Sequence, residues 1–148
     1  MNIAGAKIAR IDDHILGKIN DHTTLGIYGT IENHSITGQT MESASSDEIQ
    51  LGDAYFLTEL SDNTVKKVSI QITDLKTQTQ MSSKGITFTV IDQSVLDETN
   101  GIIQGMSGSP IIQNNKVVGC VTHVSSQNPA VGYGLYIDWM LETDRRVE

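Results

Sequence analysis

The run GMSGSP at residues 105–110 sets a serine among the glycines that a nucleophile loop needs. A serine hydroxyl attacks a carbonyl only when a base takes its proton and hydrogen-bond donors await the oxyanion that develops. Gly105 and Gly108 permit a sharp turn that directs the Ser107 side chain outward. The same turn aims the amides of Gly105 and Ser107 at one spot, a candidate oxyanion hole. Loss of one such donor costs about 3 kcal/mol of transition-state stabilisation. Pro110 ends the turn and opens the next strand. A lone GxSG is more often a plain glycine-rich surface turn, so the elements around it must decide.

Those elements are short strands rich in β-branched residues, separated by Gly, Asn, Asp and Ser, an all-β pattern. Strands are expected at 25–31, 54–60, 65–73, 86–91, 111–113, 117–124 and 134–137. The alternation in ITFTVID and VKKVSIQIT suits one buried face, whereas VVGCV is apolar throughout and reads as buried on both. Asn114 and Asn115 form a two-residue hairpin turn, because Asn tolerates positive φ. The polar stretches 34–50 and 76–84 are read as long surface loops. Helix is limited to one turn at 94–98 and a short terminal helix at 137–143, with Asp138 near its start and Arg145 and Arg146 near its end.

Composition narrows the function classes. The 148 residues suit a single domain, read here as 1–148, with 38% hydrophobic residues and no stretch of 18 apolar residues that would span a membrane. A net charge of -8 argues against nucleic-acid binding, which rests on clustered Lys and Arg. Four scattered histidines, His14, His22, His34 and His123, join no Cys or carboxylate cluster, so no metal or other cofactor is expected. Cys120, the single cysteine, reads as a small buried core residue. No signal peptide is legible at the N-terminus.

The order nucleophile loop, hairpin, strand, strand, helix resembles the C-terminal barrel of chymotrypsin- and trypsin-like serine peptidases. More closely, GIIQGMSGSPIIQNNKVVGCVTHV and GYGLYIDWML resemble the C-terminal hallmark of the stage IV sporulation protein B peptidases of endospore-forming bacteria. The likeness runs back through TVIDQSVLDETNG and, more weakly, to IARIDDHILGKINDHTTLGIYGTI. It implies a β-barrel serine peptidase fold made mainly of the C-terminal barrel, with the N-terminal part incomplete and a short C-terminal helix. It further implies that Ser107 is the nucleophile and Asp92, fifteen residues before it, is the triad acid. On the residues alone Asp92 reads as a cap at a strand end, and Asp97 and Glu98 as a solvated turn. Substrate would add as a strand against His123, Val124 and Ser125, with residues 126–132 walling the specificity pocket.

The family's triad histidine sits in a GH-x-ISD type motif far upstream of the acid, and no such motif occurs in this sequence. His123 in VTHV matches a family histidine on the strand after the nucleophile loop, which suits a groove-lining or core role better than that of base. Three readings therefore stand. The favoured one is a piece of a peptidase lacking its upstream barrel half, anchor and PDZ module, and inactive alone. The others are a natural homologue that binds peptides without cleaving them, and an enzyme in which His14 or His22 has become the base. By resemblance the substrate is a membrane-bound regulator of an intramembrane protease, cleaved in the space between the two forespore membranes, and the enzyme also cleaves itself. A barrel without its companion is expected to expose an apolar strip, inviting a homodimer.

Overall fold

The computed structural model describes residues 17–31, 40–60 and 64–147. Strands β1 (Gly17–Thr23) and β2 (Gly26–Ile31) form an antiparallel two-stranded sheet. Strands β3 (Gly52–Glu59), β4 (Val65–Leu75), β5 (Ile86–Val90), β6 (Pro110–Gln113), β7 (Lys116–Val124) and β8 (Val131–Tyr136) close into an antiparallel barrel of order β3-β4-β5-β8-β7-β6. Helix α1 (Gln93–Thr99) follows β5, and α2 (Ile137–Val147) follows β8. The expected all-β barrel and terminal helix are therefore present, and every expected strand has its counterpart.

The barrel closes because alternate residues of each strand are apolar and point inward. In β4, Val68, Ile70 and Ile72 are buried, and in β5, Ile86, Phe88 and Val90. Phe56 and Phe88 meet at the centre with ring centroids 6.0 Å apart and planes tilted by 54°, a favourable geometry for aromatic pairs. Phe88→Ala is expected to destabilise the barrel by about 3–5 kcal/mol in denaturant unfolding, the usual cost of an aromatic core truncation. The Asn114-Asn115 turn takes φ values of 51° and 61°, as the hairpin reading requires. Gln113 is buried, and its side-chain amide accepts from Gln50 N at 2.9 Å and donates to Gln50 O and Asp53 O, fixing the entry to β3. Cys120 is buried as expected, and that burial pushes its thiol pKa up to about 11.

Two elements depart from the sequence reading. Strand β1, GKINDHT, is absent from the expected strands; its residues are almost all exposed, so it carries no alternation and owes its form to pairing with β2. The helical turn after β5 is seven residues long and ends at Asn100 in the left-handed conformation, φ 58°. The expected loop at 34–50 lies partly outside the described residues. Its described part holds a 3-10 turn at Ser46–Glu48 and a bridge from Ser43 to Val117.

Candidate active site

The nucleophile loop hangs between α1 and β6 and is fastened to β7. Gly108 N donates to Val121 O at 2.8 Å, Val121 N to Ser109 O at 2.9 Å, and Ser109 N to Met106 O at 3.1 Å. Met106 sits in the core at 1% exposure and anchors the loop from below, while Ser107 stays exposed. Gly105 and Gly108 adopt φ values of 106° and 89°, which other residues rarely take, and a Cβ at either would meet nothing within 4 Å. These two glycines are thus required by backbone conformation, not by crowding. Among the described residues the amides of Met106, Gly108 and Ser109 are bonded to backbone carbonyls, whereas those of Gly105 and Ser107 are not. An oxyanion hole needs backbone amides with no other acceptor beside the nucleophile, and the Gly105 and Ser107 amides meet that condition among the described residues.

The Ser107 hydroxyl donates to the carbonyl of Thr122 at 3.3 Å. Thr122 is held in turn by its own hydroxyl, which bonds Ser83 O at 2.6 Å and Tyr133 O at 3.1 Å. Sequence reasoning passed over Thr122, because a carbonyl acceptor leaves no mark on residue type. Strand β7 is covered by β6 only from Lys116 to Cys120. Beyond that, His123–Ser125 pairs with β8 on one side, where Ser125 N donates to Val131 O at 2.8 Å. Alternation along the strand then turns the backbone groups of Val124 to the opposite, open edge. Of the three residues expected to receive substrate, Val124 therefore offers its backbone, and His123 and Ser125 direct theirs to β8. Burial, and then the Lys84 charge, lower the His123 pKa.

Asp92 is the N-cap of α1. Its carboxylate accepts from Ser94 Oγ at 2.6 Å, Ser94 N at 3.1 Å and Val95 N at 3.3 Å. The Ser94 hydroxyl is the main cause of a lowered carboxyl pKa, helped by the amides of Val95, Ser69 and Ser94 and opposed by burial. A depressed folded pKa stabilises the protein above the unfolded value, about pH 4, and the gain fades as pH falls through the folded value. Asp92→Ala is expected to cost about 1 kcal/mol and to flatten that acid limb in pH-dependent unfolding. Asp92→Asn, which still caps, should keep most of the neutral-pH stability. Loss of proteolysis in that stable variant would separate a catalytic role from the cap.

Among the described residues no histidine bonds Ser107 or Asp92, and His14 and His34 lie outside those residues. His22 is exposed on β1. Among the described residues no group of His, Cys, Asp and Glu could hold a metal ion, and no helix is long and apolar enough to cross a membrane.

The fold has solved relatives. The Rv3671c protease of M. tuberculosis in its active form aligns with a TM-score of 0.62 and 14% identity, covering 88% of this chain and 58% of that one. Its inactive form gives 0.63 and 14%, covering 88% and 66%, and a serine-to-alanine mutant in the inactive form gives 0.61 and 12%, covering 88% and 64%. The chain thus spans less than two thirds of these neighbours. No curated protein matches it by sequence. The family described as SpoIVB peptidase S55 matches residues 2–141, and the chain belongs to that family.

Proposed function

We propose that this chain is the nucleophile-bearing domain of a serine endopeptidase of sporulation signalling, with Ser107 attacking the peptide carbonyl. The observation that carries this reading is the exposed Ser107 flanked by the two unbonded amides of Gly105 and Ser107. The substrate peptide adds to the open edge of β7 at Val124. Its scissile carbonyl meets Ser107, and the developing oxyanion is held by the Gly105 and Ser107 amides. A histidine takes the serine proton and passes it to the leaving amine, and water then releases the acyl group. Neither His123 nor His22 bonds Ser107 or Asp92, which supports a base outside the described residues. The triad acid is Asp92, an assignment supported by the resemblance; in the fold it is occupied as a helix cap.

The substrates are a membrane-bound regulator of an intramembrane protease and the enzyme itself, acting between the two membranes around the forespore. Exposed apolar residues, Val65 of the barrel at 67% and Ile19, Ile27 and Ile31 of the β1–β2 sheet at 60–63%, support association of two copies through exposed apolar surface, as expected for the barrel. In the protein produced from its own gene, Ser107→Ala should block self-cleavage and sporulation signalling together. Unaffected self-cleavage would contradict the proposal.

One observation favours a second reading. The Ser107 hydroxyl is engaged by Thr122 O and the Asp92 carboxylate by α1, as suits a homologue that binds peptide along β7 without cleaving it. Full signalling by the Ser107→Ala protein would select that alternative.

A further inference from the structure

The reading of Ser107 as a nucleophile beside an open β7 edge places a constraint on the peptide it attacks. An extended peptide bonded along Val124, with its carbonyl at Ser107, must set the side chain of the acyl residue into a defined space. That space lies between the run 101–105 leading into Ser107 and the junction of β7 with β8. In this chain the two walls touch. Ile102 N donates to Pro129 O at 2.8 Å.

The close approach depends on glycines. A Cβ on Gly101 would lie 2.3 Å from Pro129 O. A Cβ on Gly132, the residue opposite Val124, would lie 2.3 Å from Ile102 Cδ1 and 2.5 Å from Phe88 Cζ. Ile102 is only 6% exposed, so its side chain lies against Gly132 above Phe88 and fills the space. The neighbours Ile103, next to Ile102 in sequence, and Val124, opposite Gly132, are apolar and exposed at 43% and 42%. The cavities of about 390 and 500 Å³ near α2 are lined by neither Ser107, Thr122 nor Val124.

We infer that Ile102 is a specificity-determining residue, filling the side-chain pocket beside Ser107 so that the residue on the acyl side of the scissile bond is small and uncharged, such as Gly, Ala or Ser. A Leu or Phe there would have to displace a buried isoleucine from a close-packed wall, which interiors resist.

The test needs no turnover. The ¹⁵N-labelled 148-residue chain is titrated with acetylated tripeptide acids ending in Ala, Leu or Phe, whose carboxylate can occupy the Gly105 and Ser107 amides. Amide shifts at Ser107, Val124 and Gly132 are followed. The Ala peptide should bind at least about tenfold more tightly than the Leu and Phe peptides, a discrimination of the size a hydrophobic pocket gives. Ile102→Ala should bring the Leu peptide level with the Ala peptide. Equal binding of all three by the unaltered chain would overturn the inference while leaving the peptide site standing. Absence of any shift along Ser107 and Val124 would instead remove the peptide-site reading, and the inference with it. Should Ile102→Ala fail to fold, the ranking in the unaltered chain decides alone.

Discussion

Ser107→Ala is expected to lower peptide hydrolysis by about a millionfold, the scale set by removing a serine nucleophile whose partners act as a unit. Stability should stay within about 0.5 kcal/mol. The side chain is exposed and makes a single 3.3 Å bond to Thr122 O, so its loss opens no cavity and strands no buried group. Turnover of a peptide substrate by the protein produced from its own gene, set beside denaturant unfolding of both forms, checks the two halves together. A modest decrease in turnover would mean that Ser107 only lines the groove.

The second large effect is expected at Gly105. Its φ of 106° costs any other residue about 1–3 kcal/mol of strain, although nothing lies within 4 Å of where a Cβ would stand. Gly105→Ala therefore folds, and the loop relieves its strain by turning the 105 amide away from the oxyanion site. The kcat should fall by about 10²–10³ with little change in KM, the signature of a donor that acts in the transition state. Gly108→Ala is the matched comparison. It meets similar strain at φ 89° and equally open space, yet its amide is bonded to Val121 O and faces no substrate. Stability should drop comparably in both variants, and kcat should drop much further in Gly105→Ala. Equal losses would reduce Gly105 to a turn residue.

Much of this was legible before the fold. Alternation in VKKVSIQIT and ITFTV places Val68, Ile70, Phe88 and Val90 inside because a strand has only two faces and one of them is buried here. The Asn114-Asn115 turn and the glycines of the nucleophile loop were readable because positive φ selects residue type directly. Strand β1 was not readable, since pairing with β2 leaves no apolar stripe in GKINDHT. Thr122 was missed for a similar reason, its contribution being a carbonyl that any residue carries. Asp92 shows the reverse problem: one residue type serves both a triad and an N-cap, and the bonds to Ser94 and Val95 establish the cap alone. The filled space at Ile102 depends on contacts between segments some thirty residues apart, at 102 and 132, which no local pattern reports.

The most direct measurement of the central claim is peptide mapping by mass spectrometry after exposing the protein produced from its own gene to a fluorophosphonate. Such reagents modify a serine only when a base and an oxyanion hole act on it. The account predicts a single adduct on Ser107, lost in Ser107→Ala. An unmodified Ser107, with or without an adduct on another serine, would contradict it.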